Sequence, residues 1–216
     1  MKHVLLIVIG FFFVFQACKK DEPNPNPTPQ ESVLDYFPLT VGNYWIYEIS
    51  SCDSTWTDCD YTRTDSNYVS KDSMIRGNLY YKIEGRNFLS PEPLFLRDSL
   101  NYLIDYKGNI LFSNKDFDTK LNEEYVVVAN NDTLYHWYSK MDETPFLVEV
   151  PAGEYTCLDN KLSFFRKQEN FEMEFNSHYA LSKNIGPVYD NAMFASSTGG
   201  IKRELLRYFI QPPIMP

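Results

Sequence analysis

The chain has 216 residues, enough for one domain of ordinary size with a sizeable core. Aromatic residues make up 16% of it, which favours β-strands because rings pack well on a pleated, half-buried surface. The formal charge of −9 repels phosphate backbones and anionic headgroups, so it argues against nucleic acid as a partner and against electrostatic docking on membranes.

The chain opens on a targeting segment. Lys2 and His3 precede the apolar run 4–15. A membrane-spanning helix needs about 20 residues, whereas the core of a signal peptide needs about 7–15 after a positive charge. We therefore predict a signal peptide over residues 1–17. The alternative is a buried core helix, but the run has no polar residues to give it a second face.

Ala17-Cys18, directly after the apolar run, resembles the lipobox of bacterial lipoproteins. The resemblance implies cleavage before Cys18 and acylation of its thiol and new amine by fatty acids such as palmitate. Two or more acyl chains make a stable anchor, so we expect the membrane to be a partner through the lipid. The segment 19–22, KKDE, resembles the surface-export signal of some Gram-negative groups. It implies an outer-membrane protein on the cell surface; the alternative is the inner leaflet of that membrane.

Residues 18–31 form the predicted tether between lipid and domain. Alternating prolines at 23–29, PNPNPTP, favour extended polyproline II. Such a spacer is semi-rigid and spans roughly 3 Å per residue. A ligand for a proline-recognition domain is the alternative interpretation.

Residues 32–216 show many short alternating runs separated by turn residues, and no long stretch of helical period. This pattern predicts an all-β domain, an antiparallel sandwich or partly open barrel of about ten to twelve strands built from hairpins. Turns are predicted at 107–109 between strands 95–106 and 110–113, and at 130–132 between strands 125–129 and 133–138. Gly199-Gly200 precedes a last strand, 201–210.

The first hairpin can be predicted to the level of register. If Cys52 faces Cys59, then Ser50 faces Tyr61, and the same register continues along both strands. The further pairs that it predicts are Glu48 with Arg63, Ile49 with Thr62, and Tyr47 with Thr64. The apolar set Trp45, Tyr47 and Ile49 then shares the core face.

Three blocks are similar to an uncharacterised group of bacterial cell-envelope lipoproteins. They are YFPL at 36–39 with GNYWIY at 42–47, VPAGEYTCL at 150–158, and YA at 179–180 leading to NIGPV at 184–188. The resemblance spans most of residues 36–190. It implies a fold and an anchor, and it carries no catalytic residue.

Three cysteines remain once Cys18 is taken by lipid. Cys52 and Cys59, opposite one another in a hairpin, would lie about 4.5–5.5 Å apart at Cα, within disulfide range. The oxidising envelope permits that bond, and a two-thiol metal site is the alternative. Cys157 is predicted to be a buried free thiol, since the sequence places no histidine to activate it as a nucleophile.

The sequence contains no G-x-S-x-G, H-E-x-x-H, P-loop or dinucleotide-binding glycine motif. We therefore predict no catalytic residue, metal site or cofactor. His136 and His178 are interpreted as polar strand residues rather than bases or ligands. Asp53, Asp58 and Asp60 are interpreted as solvated turn carboxylates, with a Ca²⁺ site as the alternative.

Three short motifs, at 72–74, 98–100 and 132–134, resemble the D-(S/T)-apolar acceptor of bacterial O-glycosylation systems. The resemblance implies sugar on Ser73, Ser99 and Thr133. Chance occurrence in a chain rich in Asp and Ser is the alternative.

Three functional hypotheses remain open. The first is a non-catalytic binding or assembly module for a glycan or an envelope protein, with Trp56, Tyr135 and Trp137 as candidate stacking residues. Trp56 leads this set because a tryptophan at a loop tip is poorly placed to join a core. The second is an envelope hydrolase whose site is assembled from separated strands, with His178 or acids converging in a cleft. The third is a carrier of an apolar ligand in a large cavity.

Overall fold

A computed structural model describes residues 31–85, 93–128, 132–168, 171–194 and 199–212; at 127–128, 132–134, 166–168 and 171–173 it describes the backbone alone. The predicted signal peptide, Cys18 and all of the tether except Glu31 lie outside the described residues. Residues 31–216 form one compact unit.

The described chain is built from strands. A single 3₁₀ turn, Val33–Asp35, comes first, and no α-helix occurs among the described residues. Thirteen strands follow: β1 Tyr44–Cys52, β2 Cys59–Ile75, β3 Asn78–Gly85, β4 Leu94–Ser99, β5 Tyr102–Asp105, β6 Ile110–Ser113, β7 Asn122–Val128, β8 Asp132–Val150, β9 Gly153–Gln168, β10 Phe171–Ser177, β11 Tyr179–Ser182, β12 Gly186–Met193 and β13 Gly200–Phe209.

Within these described segments, no helix has the length and apolar character needed to span a membrane.

The strands form one antiparallel sheet that nearly closes into a barrel. Its order is β6-β5-β4-β3-β2-β1-β13-β12-β11-β9-β8-β7, and β10 extends the edge of β9 beside β11. The two terminal strands, β6 and β7, are neighbours in sequence. The prediction of an all-β, partly open barrel made of hairpins is confirmed.

The core fills the inside of this barrel. Trp45, Tyr47 and Ile49 are buried, as their alternation along β1 predicts. Their polar tips are satisfied, because the Trp45 indole donates to the Ile185 carbonyl at 2.7 Å and the Tyr47 hydroxyl to the Pro187 carbonyl at 3.1 Å. A side chain at position 186 would collide with the Trp45 ring, so only glycine fits there.

The register of the first hairpin is confirmed in part. Ser50 faces Tyr61 and Cys52 faces Cys59, as predicted. The predicted pair of Glu48 with Arg63 is wrong, because a β-bulge between Ile49 and Ser50 gives β2 one extra residue. Beyond the bulge every partner moves by one position: Ile49 faces Arg63, Glu48 faces Thr64 and Tyr47 faces Asp65.

The predicted continuous strand 95–106 is wrong, because the chain reverses at Leu100-Asn101 between β4 and β5. Both residues have positive φ, 52° and 75°. Asparagine tolerates that region well, but leucine rarely adopts it. The Leu100 side chain is 88% exposed, and an exposed leucine beside a single asparagine is a weak turn signal in the sequence. The predicted turn at 107–109 is confirmed by β5 and β6. Of the other predicted turn, 130–132, residues 130 and 131 lie outside the described residues, and Asp132 is the first residue of β8.

A disulfide joins Cys52 and Cys59, with Cα atoms 4.1 Å apart. The bond closes a short loop, and the loop-entropy relation gives a contribution of about 2–3 kcal/mol. Cys157 is free and buried, as predicted. Burial, together with the charge of Asp159, raises the pKa of its thiol to about 12, so it remains an unreactive thiol at neutral pH.

Candidate functional site

The barrel encloses a cleft where its two edges diverge. We call this space the barrel cleft; its volume is about 510 Å³, within the range of small-molecule sites. One wall comes from the β4–β6 side and the other from β7, β8 and β9. The lining residues are Pro93, Leu94, Asp105, Tyr106, Lys107, Asn109, Ile110, Leu111, Asn122, Glu124, Trp137, Ser139, Asn160, Leu162 and Phe164.

A row of side chains on directly opposed positions forms the aromatic wall. Glu124 of β7 faces Trp137 of β8, which faces Phe164 of β9, which faces Phe175 of β10. The Trp137 and Phe164 ring centroids are 6.3 Å apart, and Phe164 stacks on Phe175 at 5.6 Å. The Trp137 indole donates to a Glu124 carboxylate oxygen at 3.2 Å, which fixes the ring at the edge of the cleft.

Amide and hydroxyl groups form the base of the cleft. The Asn122 side chain accepts from the Ile110 N–H at 3.1 Å and donates to the Ile110 carbonyl at 2.5 Å. It also donates to the Ser139 hydroxyl oxygen at 3.0 Å. Asn160 donates to the Leu111 carbonyl at 2.7 Å. Side chains of β7 and β9 therefore satisfy the backbone of β6 at the seam.

The turn after β5 forms the rim of the cleft. Both Asp105 oxygens accept hydrogen bonds from this turn: Oδ1 from the Lys107 and Asn109 N–H groups, and Oδ2 from the Asn109 amide, at 2.7–2.9 Å. The Lys107 ammonium lies 5.5 Å from the Tyr106 ring centroid. Asp105 thus holds the turn, since it accepts three hydrogen bonds from it.

Of the three predicted stacking residues, Trp137 is the one that lines the barrel cleft. Tyr135 shares its face of β8 by strand alternation, but it is not among the lining residues. Trp56 has φ of 60° and is half-buried; its ring lies so close to Gly200 that a Cβ there would be 2.5 Å from the ring. Trp56 thus packs on Gly200, but it does not belong to the hydrophobic core of the described residues, in agreement with its place at a loop tip. A stacking role for Trp56 or Tyr135 stays a prediction.

His178 pairs with Asp159 rather than with a nucleophile. Its Nδ1 lies 2.6 Å from one Asp159 oxygen, and the other oxygen accepts the Tyr179 N–H at 2.9 Å. The His178 N–H donates to the Asn191 side chain at 2.7 Å. These bonds satisfy the backbone where the chain passes from β10 to β11. The His178–Asp159 pair therefore holds the junction of these two strands, and among the described residues no Ser, Thr or Cys hydrogen-bonds to His178.

The carboxylates near the disulfide also have a local role. Asp53 accepts hydrogen bonds from the Thr55 hydroxyl and from the Thr57 and Asp58 N–H groups. The first of these bonds is the main reason that the pKa of Asp53 is lowered. No group of three or more His, Cys, Asp or Glu side chains able to hold a metal occurs in the described residues. Asp53 therefore stabilises the turn between β1 and β2 by accepting hydrogen bonds from residues of the same loop.

The predicted modification sites fall in several places. Ser73 lies on β2 and Ser99 at the end of β4, both half-buried. The side chain of Thr133 and all of Cys18 lie outside what the structure describes. Glycosylation and lipidation stay predictions.

The sequence interpretation missed the residues that define the cleft besides Trp137: Asn122, Glu124, Ser139, Asn160 and Phe164. Strand alternation in 135–141 does place Trp137 and Ser139 on the same face of β8, and alternation in 122–126 places Glu124 on the same face of β7 as Asn122. The sequence could therefore have indicated that these residues lie together. Nothing in the sequence indicates that Asn122 or Asn160 contacts β6, because that contact depends on closure of the barrel.

No protein-family model matches the sequence, and no curated protein shows significant similarity to it. Two solved structures resemble the chain. One, from Parabacteroides distasonis ATCC 8503, is described as a "putative lipoprotein"; it is 12% identical, the match covers 81% of this chain and 98% of that chain, and the TM-score is 0.43. The other, from Bacteroides fragilis NCTC 9343, is described as a "putative exported protein with YmcC-like fold", with 11% identity, coverage of 79% and 97%, and a TM-score of 0.43. Similarity at this level carries no information on function or site residues.

Proposed function

We propose that this protein is a lipid-anchored module of the bacterial cell envelope that binds a glycan, without catalysis, in the barrel cleft. The observation that carries the proposal is Trp137, which lines a cleft of about 510 Å³ whose base consists of amide and hydroxyl groups. Aromatic walls with a few placed polar groups are the usual composition of small-ligand sites.

A sugar matches this combination better than a purely apolar ligand does. The faces of sugar rings stack on aromatic side chains, and their hydroxyls need hydrogen-bond partners. The cleft offers both, with Trp137 and Phe164 in one wall and Ser139 and Asn160 at the base. A carrier of apolar ligands would have a more uniformly apolar lining, whereas Lys107, Glu124 and Ser139 are among the residues that line this cleft.

Catalysis receives less support from the same geometry. Glycoside hydrolysis uses two carboxyl groups flanking the scissile bond. The cleft is lined by Asp105 and Glu124, but three hydrogen bonds tie Asp105 to its own turn, and Glu124 accepts a hydrogen bond from the Trp137 indole. His178 is not among the lining residues.

The glycan proposal is tested by nuclear magnetic resonance of the unit 31–216. Its three tryptophans report on three places: Trp45 on the core, Trp56 on the disulfide loop and Trp137 on the cleft. We expect saturable shifts of the Trp137 indole N–H on addition of short glycans, with no shift of Trp45. Trp137→Ala should abolish binding, with Trp56→Ala as the matched control.

Shifts confined to the Trp56 indole would move the site to the disulfide loop and contradict the cleft. No shift of either indole across neutral and acidic glycans would remove the glycan function. In that case an envelope protein becomes the partner to seek, by pull-down from envelope extracts.

The anchor is tested by Cys18→Ser. We expect the wild-type chain in the outer-membrane fraction and accessible to protease added to intact cells, and the variant released in soluble form. Wild-type protein that is membrane-bound but protected from the protease would contradict surface display while leaving the lipid anchor in place.

A further inference from the structure

Asn160 carries a buried acceptor that lacks a partner. The residue is 2% exposed and lines the barrel cleft. Its Nδ2 donates to the Leu111 carbonyl, whereas its Oδ1 has no hydrogen-bond partner among the described residues. Leaving a buried acceptor unpaired costs about 1–3 kcal/mol, and a donor on a ligand in the cleft would remove that cost.

The orientation of the Asn160 amide is fixed by its neighbour. A flipped amide would set Oδ1 against the Leu111 carbonyl oxygen and lose the 2.7 Å bond. The nitrogen must therefore face β6, and the oxygen stays the free group.

Ser139 provides the complementary donor. Its oxygen accepts from Asn122 at 3.0 Å, and no acceptor for its hydroxyl hydrogen occurs in the described part of the chain. Ser139 lies opposite Leu162, and Asn160 lies opposite Met141. Ser139 and Asn160 are therefore diagonal neighbours on one face of the β8–β9 pair.

A free acceptor beside a free donor matches a ligand hydroxyl, which both donates and accepts. We propose that Asn160 and Ser139 select a neutral sugar by one hydroxyl, which donates to Asn160 Oδ1 and accepts from Ser139 Oγ while the ring lies on Trp137. This inference rests on the proposed function and names the residues that decide specificity. The Glu124 carboxylate beside the Trp137 indole disfavours an acidic sugar in the same place.

The chain offers a matched control for Asn160. Asn114 is also buried, its Nδ2 also donates to a main-chain carbonyl, and its Oδ1 also has no partner among the described residues. Asn114 is not a lining residue of the cleft. Asn160→Leu and Asn114→Leu thus remove similar groups, one inside the site and one outside it.

The experiment is calorimetric titration of the full chain in detergent with the methyl glycosides of neutral hexoses and of uronic acids, followed by each mono-deoxy form of the best binder. We expect Asn160→Leu to weaken binding about tenfold or more. Asn114→Leu should bind as the wild type does. Ser139→Ala should also weaken binding, and thermal unfolding shows that each variant is folded.

The deoxy series decides the assignment. One deoxy form should bind the wild type more weakly than the parent sugar does. The affinity of that deoxy form should not fall further in Asn160→Leu, because the deoxy change and the substitution remove the same hydrogen bond. Independent, additive losses would overturn the inference, as would wild-type affinity in both Asn160→Leu and Ser139→Ala, or preference for the uronic acids. These results leave the proposed function intact if the Trp137 indole still shifts, whereas absence of any sugar binding overturns both.

Discussion

Arg203 and Asp190 form a buried ion pair inside the barrel. They face each other directly across β12 and β13, and both are almost fully buried. Arg203 Nε lies 2.9 Å from both Asp190 oxygens, and its guanidinium lies 4.8 Å from the Tyr47 ring centroid. Burial raises the pKa of the Tyr47 hydroxyl well above its ordinary value, so the ring stays neutral beside the pair.

Replacing Arg203 by methionine should leave Asp190 buried without its cation. We expect Arg203→Met to lower the free energy of unfolding by about 3–5 kcal/mol, measured by urea denaturation. Arg207→Met, at an exposed position on the same strand, should change it by about 0.5 kcal/mol or less.

The double variant Asp190→Leu with Arg203→Met tests the reason for the loss. It should recover much of the stability, because two apolar side chains need no charge partner. A double variant as unstable as Arg203→Met alone would show that packing, rather than the unpaired charge, causes the loss.

At the scale of elements, β7, β8 and β9 carry an aromatic row on the outer face of the sheet. His136 stacks between Tyr125, at a centroid distance of 4.1 Å, and Phe165, at 5.5 Å. Glu123 on β7 binds His136 Nε2 at 2.8 Å and the Lys120 ammonium at 2.5 Å. The bonds to Lys120 and His136 lower the pKa of Glu123 to about 2 from its ordinary value of 4.5.

A lowered carboxyl pKa gives stability that is present above the unfolded-state pKa and is lost as the pH falls toward the folded-state pKa. We therefore expect Glu123 to contribute fully above about pH 4.5 and to lose its contribution between about pH 4.5 and 2. Glu123→Gln should flatten the acid side of the stability profile, measured by thermal unfolding against pH.

Glu143→Gln is the control, because it removes an exposed carboxylate elsewhere on β8. Its profile should keep the wild-type slope below pH 4.5. Equal slopes for the wild type and Glu123→Gln would contradict a folded-state role for this carboxylate.

At the scale of the whole molecule, closure of the barrel depends on side chains. The edge strands β6 and β7 lie at opposite ends of the strand order and do not pair with each other through backbone hydrogen bonds. The Asn122 amide instead binds both backbone groups of Ile110, as a neighbouring strand would. The barrel cleft opens beside this contact, so the same asparagine both closes the seam and forms part of the site.

Removing the Asn122 amide should open the seam locally. We expect Asn122→Ala to accelerate hydrogen exchange of the Ile110 N–H strongly, since that donor loses its partner, and to lower the free energy of unfolding by about 1–3 kcal/mol. The Leu103 N–H, inside the β4–β5–β6 ladder, should change far less. Asn78→Ala, at the exposed start of β3, is the matched control. Unchanged protection of Ile110 in Asn122→Ala would show that other contacts close the seam.

The sequence alone determined the class of fold and the first hairpin. Alternating runs such as Trp45, Tyr47 and Ile49 predict strands with one buried face, because the side-chain period of a strand is two. The cysteine spacing predicts the disulfide, since opposed residues of a hairpin lie within bonding distance. Where the local signal was weak, as at Leu100-Asn101, or absent, as at the bulge beside Ile49, the prediction was wrong.

Only the tertiary structure decided where the candidate site lies. Asn160 and Leu111 are 49 positions apart in sequence, and no local pattern relates them. Trp137 lines a cleft, and Trp56 packs on Gly200, because of how distant strands meet. Strand periodicity tells which side chains of one strand lie on the same face of the sheet. Which residue a side chain meets across the barrel depends on strand order and closure, which are properties of the whole sheet.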